Sequence, residues 1–405
     1  MAGALSHLRI LDLSRVLAGP WAGQLLADLG AEVLKVEKPE EGDDTRRWGP
    51  PFLKDRDGRD SQESAYYLSA NRGKRSLAID FTRPEGQELI RKLVAGCDVV
   101  LENFKVGGLA KYGLDYAALK AIKPDLVYCS ITGFGQDGPY AQRAGYDFLV
   151  QGMGGLMSLT GAPDGEPMKV GVALTDIFTG MYAGVAILAA LAHRDRTGQG
   201  QHIDLALLDV QVAVLANQAS NYLVGGVIPR RLGNSHPNIV PYQAFATRDG
   251  HVILAVGNDS QFQRFCAVAG CPELAEDPRF ATNAARVAHR DLLVPLLQDA
   301  LSTRLSADWI AVLEAAGVPC GPINTLAEVF ENPQLRHRGM VAHMAHPVSG
   351  AVDLVANPIR LSETPVAYDR PPPQLGADTA AVLGDLLGLE ASAVAELRAK
   401  GIIGG

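Results

Sequence analysis

The chain has 405 residues, 47% of them hydrophobic and 20% charged, with a net charge of −8 and a pI near 5.6. That length predicts two or three packed units rather than one, and that apolar content excludes an intrinsically disordered chain. The acidic balance argues against nucleic acid as a general partner, while leaving room for a small anionic ligand held by local cations.

The N-terminus lacks the basic and apolar run of a secretory signal, and the longest apolar stretch, 177–192, is short for a membrane span and diluted by glycine. Five cysteines (Cys97, Cys129, Cys266, Cys271 and Cys320) form no CxxC motif and no even framework, as expected of free thiols in a reducing compartment. A cytoplasmic protein without membrane contact is the expectation.

Along the chain, 8–14 reads as a strand and 20–29 as a helix, with Pro20 in its first turn and Gly30 at its end. Residues 32–37 read as a second strand. A helix near 84–95, a strand at 98–101, a helix near 116–122 and a strand at 126–131 continue the rhythm. Such β-α-β alternation predicts a parallel, doubly wound sheet that binds ligands beyond its strand C-termini. Residues 176–193 read as one helix, and 201–215 as a strand leading into a helix. Gly, Pro, Arg and Asn break the pattern at 225–238, a boundary signal. A smaller unit then opens with strands 243–247 and 251–255 joined at Asp249-Gly250. Helices follow to about 316, short strands lie within 347–363, and a last helix runs near 378–387. The predicted domains are 1–224, 225–330, and a C-terminal segment, 331–405, returning to the first. No internal repeat is visible.

Three groups of residues invite chemistry. Gly133-Phe-Gly-Gln-Asp-Gly138 matches GxGxxG after a strand, but Pro139 follows and no helix opens, so a tight loop beside some other ligand is the better reading. Lys35, Lys38, Arg46, Arg47, Arg72, Lys74 and Arg75 follow the early strands, either as a solvated face or as phosphate ligands. Asp176 opens an apolar helical run. Such an Asp is ordinarily an N-cap. The same place would let first-turn amides and the helix dipole hold a carboxylate nucleophile and a developing oxyanion. No metal site and no GxSxG elbow can be argued, His343 and His346 lacking helical context.

Taken together, several ordered blocks resemble the family III CoA transferases of the CaiB/BaiF, or formyl-CoA transferase, type. They are 11–20 (LDLSRVLAGP), 29–37 (LGAEVLKVE), 42–46 (GDDTR), 71–76 (NRGKRS), 102–104 (ENF), 143–147 (RAGYD), the Asp176 helix and 317–324 (GVPCGPIN). The resemblance implies an α/β fold with a Rossmann-like large domain, a smaller α+β domain and an interlocked homodimer, an arrangement rare among folds.

It also implies a reaction and a site. Coenzyme A would pass from an acyl-CoA to a carboxylic acid through an aspartyl-CoA thioester on Asp176. CoA would enter as a substrate, with no permanently bound cofactor and no metal. Val16, Lys38, Lys74, Asn103, Phe104 and Lys111 would line the CoA site, Lys38 standing where relatives can have Arg. Tyr146 and Asp147 would border the reacting thioester.

Within the family the nearest likeness is to succinyl-CoA–glutarate CoA transferases, through Trp48-Gly-Pro-Pro51, 143–147 and 239–245. The glycine-run loop of formyl-CoA transferases is missing from 231–245, so formyl-CoA and oxalate are not the first expectation, and the likeness of those blocks points instead to succinyl-CoA and a dicarboxylate such as glutarate. Arg230, Arg231 and His236 are candidates for the distal carboxylate. Two alternatives stand beside this reading: an α-methylacyl-CoA racemase-type isomerase, and a non-catalytic acyl-CoA-binding protein. Racemases of the family carry His where Tyr146 stands, and a phenol with pKa about 10 is poorly matched to α-proton exchange.

Overall fold

A computed structural model describes residues 3–405. Its main sheet uses β1 (Arg9–Asp12), β2 (Glu32–Glu37), β5 (Lys74–Ala78), β6 (Val99–Glu102), β7 (Val127–Thr132) and β8 (His202–Ala206). Between β2 and β5 lies a hairpin of β3 (Phe52–Lys54) and β4 (Asp60–Ser64). The sheet order is β5-β2-β1-β6-β7-β8, every neighbouring pair parallel.

Parallel strands are covered on both faces, so β6 and β7 read as nearly unbroken apolar runs and are buried throughout. Successive residues point to opposite faces. Leu11, Leu34, Leu77 and Val100 meet α2 (Pro84–Ala95) and α3 (Tyr116–Ile122), joined by Val382, Leu383 and Ile402 of the C-terminal segment. Ile10, Val33, Val99 and Val127 meet α1 (Ala18–Asp28) and, further along the chain, a helix at Leu174–Thr197.

That helix follows α4 (Asp147–Met153) and is labelled α5; α6 (Leu207–Ala213) continues directly from β8. At 24 residues α5 exceeds the 177–192 run and is long and apolar enough to cross a membrane by length and composition alone. Its use here is that of a core helix: Ala183, Ile187, Ala190 and Leu191 pack into the face beneath α1.

Packing divides the chain into two units, one of 1–156, 170–220 and 336–405, the other of 157–169 and 221–335. The second has an antiparallel sheet of β9 (Tyr242–Ala246), β10 (His251–Ala255) and the short β11 (Cys320–Gly321). Helices close over it around Phe245, Phe262, Phe265 and Trp309. The excursion 157–169 has no sequence signal and departs from the expected 1–224 domain. In the first unit the tail forms a hairpin of β12 (Val341–His346) and β13 (Gly350–Val355), offset from the expected 347–363 because His346-Pro-Val-Ser-Gly350 is its turn rather than its start.

Candidate active site

Chain order decides where this sheet can hold a ligand. From β1 the chain moves out to β2 and β5, then crosses back to β6 and continues the other way. The loops after β1 and β6 therefore part, opening a crevice at the strand C-termini. Asn103 ties the two loops: its Nδ2 donates to the Arg15 carbonyl at 2.7 Å, and its Oδ1 accepts from the Arg15 N–H at 2.9 Å.

Val16 sits beside this clamp with φ +71°, a left-handed conformation that a β-branched residue rarely adopts. Strain of that kind costs about 1–3 kcal/mol and needs surroundings that enforce it. The Asp43 carboxylate supplies them, accepting the Val16 N–H at 3.2 and 3.3 Å and the Lys35 ammonium at 2.9 Å. Burial alone would push the Asp43 carboxyl up, but Lys35 and the Thr45 donors outweigh it and hold it at about 2.

A cavity of about 410 Å³ opens at the crevice, with Arg15, Lys38, Lys105 and Lys111 among its cations and Phe81, Phe104 and Tyr112 among its walls. A smaller cavity of about 150 Å³ shares Arg15, Asp44, Phe104 and Lys105 with it, and is lined further by Val16, Asn103, Gly133 and Tyr146. The two adjoin through those shared residues, a groove running from a basic, aromatic chamber toward Tyr146. Cations of this kind suit phosphates, and the aromatic walls suit a flat base.

Of the sequence-predicted CoA ligands, Val16, Lys38, Asn103, Phe104, Lys111 and Tyr146 lie on this groove. Lys74 does not. It is 1% exposed, and its ammonium already donates to Asp12 Oδ2, the Pro20 carbonyl and Asn71 Oδ1 at 2.9–3.0 Å, using all three protons. Burial, only partly offset by Asp12, draws it down to about 8.

The other cations of that cluster are equally committed. Arg46 forks onto Glu37 at 2.7 and 2.8 Å, and Arg72 onto Asp28 at 2.9 and 2.7 Å. Lys35 pairs with Asp43, and Arg75 with Glu32 at 2.8 Å. Only Lys38 and Arg47 of the seven stay mostly exposed. The other five are thus neither a solvated face nor a phosphate cradle but a buried ionic frame beneath the groove, which leaves Lys38 at its rim. Sequence reasoning missed Arg15 and Lys105, although both follow strand ends, where such folds bind ligands.

Beyond Tyr146 the chain turns into α4, and its first residue, Asp147, reaches across to α5. Asp147 Oδ1 accepts the N–H of Thr175 at 2.8 Å and of Asp176 at 3.2 Å. Asp147 thereby caps α5 from outside, and Asp176, in the first turn, is not the N-cap. The amides expected to serve an oxyanion are therefore occupied.

Asp176 itself is half-buried; burial first, then the charge of Asp147, pushes its carboxyl up to about 7. The first-turn amides, expected to keep this carboxylate ionised, are instead taken by Asp147. Tyr66 faces the same pair: burial and the charges of Asp176, Asp147 and Asp43 push its phenol up to about 12. Nothing in the sequence marks Tyr66, which reaches the site from the one-turn helix Ala65–Leu68 and packs its ring against Trp48. Among the described residues no group of three His, Cys, Asp or Glu side chains is placed to hold a metal ion.

The first glycine of GxGxxG serves a close approach, while Gly135 and Gly138 supply positive φ. A Cβ on Gly133 would stand 2.6 Å from the Gly145 Cα, so the loop after β7 and the loop before α4 touch backbone to backbone.

The sequence pattern of CoA-transferase family III matches residues 5–379. The chain is 54% identical to succinate–glutarate CoA-transferase of Agrobacterium fabrum, across 96% of this chain and 97% of that one. It is 44% identical to human succinyl-CoA:glutarate CoA-transferase, across 98% and 90%. Among solved structures, a CaiB/BaiF family protein from Brucella suis superposes with a TM-score of 0.84 at 54% identity, covering 95% of this chain and all of that one. A crevice at the switch point, a basic groove and full-length kinship with CoA transferases agree, and the chain belongs to CoA-transferase family III, as an enzyme that transfers CoA.

Proposed function

We propose that the enzyme moves CoA from succinyl-CoA to a dicarboxylate such as glutarate, with Asp176 as covalent nucleophile. The observation that carries the mechanism is the Asp176 carboxyl, half-buried at the head of α5, its proton affinity raised and its helix fixed by the residue that follows groove-lining Tyr146. A carboxylate of raised basicity is a better nucleophile than an ordinary surface aspartate.

Asp176 attacks the thioester carbonyl; the C–S bond breaks and CoA leaves as thiolate, giving a mixed anhydride. The thiolate attacks the aspartyl carbonyl and expels the donor acid, leaving an aspartyl-CoA thioester. The acceptor carboxylate attacks that thioester, forming a second anhydride and again releasing thiolate. The thiolate then takes the acceptor's acyl group and frees Asp176. The substrate choice draws support from the names of the relatives at 44–54% identity.

The basic chamber would hold the nucleotide end of CoA with Arg15, Lys38, Lys105 and Lys111, and the narrower groove past Val16 and Asn103 would carry the thiol arm toward Tyr146. The homodimer draws support from α5. Phe178, Met181, Tyr182, Val185 and Leu188, at helical spacing, leave an apolar stripe exposed on the side facing away from the core.

Succinyl-CoA alone should leave an activated carboxyl that hydroxylamine converts to a hydroxamate at Asp176, located by mass spectrometry. Asp176→Asn should abolish transfer, and Asp176→Glu should lose roughly 100-fold or more, since about 1 Å of misplacement has that effect. A folded Asp176→Asn enzyme with wild-type turnover overturns the mechanism. Equal turnover with butyrate and glutarate overturns the acceptor.

A further inference from the structure

Both oxygens of Asp147 are engaged, which leaves the residue little to offer a ligand. Oδ1 holds the second and third amides of α5, and Oδ2 accepts the Gln151 Nε2–H at 2.6 Å. Gln151 is wholly buried, and its Oε1 accepts the Val170 N–H at 2.9 Å. The carboxylate is therefore locked in place from its own helix and from the segment leading into α5. The positive end of the α5 dipole favours an anion there. The same anion, which holds the Asp176 N–H at 3.2 Å, acts on the carboxyl of Asp176, an unfavourable pairing of like charges.

We propose that Asp147 is a positioning residue that both fixes the first turn of α5 and loads the nucleophile, because like charge between Asp147 and Asp176 in the resting enzyme is relieved when Asp176 becomes acylated. The proposal rests on Asp176 being the nucleophile. When the Asp176 oxygen bonds to the thioester carbon, its negative charge leaves with the CoA sulfur. Asp147 then faces a neutral anhydride or thioester instead of a carboxylate. A fixed anion beside the nucleophile thus favours the covalent adduct over the empty site, where attraction would favour the reverse.

The groups facing Asp176 can be named from each side. Asp147 comes from α4, the Tyr66 phenol from the 65–68 turn feels the charge of Asp176, and α6 presents the uncharged Gln211 to the neighbouring Thr175, which donates to it at 2.6 Å. Burial is the larger cause of the raised proton affinity of Asp176, and Asp147 is the charge that adds to it.

Two variants separate loading from mere fastening. Asp147→Asn keeps an oxygen for the α5 amides and removes the charge. Gln151→Leu keeps the charge and loosens the carboxylate. The readouts are the pH dependence of kcat/KM, the fraction of enzyme carrying CoA at a fixed ratio of succinyl-CoA to succinate, and the melting temperature. Asp147→Asn should move the acid limb of kcat/KM down by about one pH unit, the scale of shift one neighbouring charge produces, and lower the CoA-loaded fraction several-fold. Gln151→Leu should slow turnover without moving the limb down.

If Asp147 only fastens the helix, both variants slow turnover alike with the limb unmoved, and the proposal fails. Should Asp147→Asn not fold, Asp147→Ser keeps a capping oxygen and carries the same expectations for limb and loaded fraction. Failure of the nucleophile assignment reads differently, since wild-type enzyme would then show no adduct at all.

Discussion

At Asp176, burial and a neighbouring charge act in the same direction, and both raise its affinity for a proton. Attack on a thioester needs the carboxylate, so kcat/KM should fall as pH drops through about 7, and a profile flat from pH 8 to 5.5 would contradict the assignment. Stability moves oppositely. Between the ordinary value of 3.8 and about 7 the folded state holds a proton that the unfolded state has lost, so wild-type stability declines as pH rises through that window. Asp176→Asn has no such loss, so its melting temperature should gain on wild type from pH 5 to 8. Sequence could single out Asp176 by its place before an apolar run. It could not show that Asp147 does the capping, because the two carboxylates stand 29 positions apart in the chain. The cations were harder still. Lys74 and Arg72 look like Lys38 in a string of letters, and only the fold reveals that Asp12 and Asp28 are waiting for them.

Helix α5 gives Asp176 its place by packing against α1, and small residues make that contact close. A Cβ on Gly180 would lie 2.7 Å from the Ala18 carbonyl and about 3 Å from the Trp21 side chain; on Gly184 it would meet Leu25 at 3.0 Å. Gly180→Val should therefore force α5 outward, with a loss of about 1–3 kcal/mol in denaturant unfolding, as overpacking generally costs. Because Gly180 lies one turn after Asp176, transfer should fall along with stability. Unchanged turnover would show that the nucleophile is placed by Asp147 and not by the α1 contact. At this scale most elements were legible, β1, β2, β6 and β7 through apolar runs and α2 through Pro84 at its first turn. Of the tail hairpin only β13, within 347–363, was. Its β12 alternates buried and exposed residues but holds two histidines, a poor strand signal, and Pro347 sits in its turn.

The parallel sheet of the first unit follows from the β-α-β rhythm, but its 5-2-1-6-7-8 order rests on which strand β6 lies beside, a contact between Ile10 and Val99 that no local pattern encodes. Quaternary structure is further from the sequence again, since periodicity shows an apolar stripe without showing what covers it. On α5 the stripe of Phe178, Met181, Tyr182, Val185 and Leu188 lies opposite the buried face of Gly180, Ala183, Gly184 and Ile187, so both sides of one helix are apolar. A helix apolar all round is normally enclosed, and full burial of each such side chain is worth about 1.5–3 kcal/mol. If a second copy of the chain provides that cover, Val185, 63% exposed, is a sensitive place to intervene. Val185→Glu would bury a charge without a partner, a strongly unfavourable arrangement. The wild type should elute as a dimer in size-exclusion chromatography with light scattering and melt at a temperature that rises with protein concentration, as linked association requires. Val185→Glu should shift the population to monomer, or lower the melting temperature and make it steeper in concentration. A wild-type monomer at micromolar concentration, with a melting temperature independent of dilution, would show that the α5 stripe is covered by something other than another copy of this enzyme.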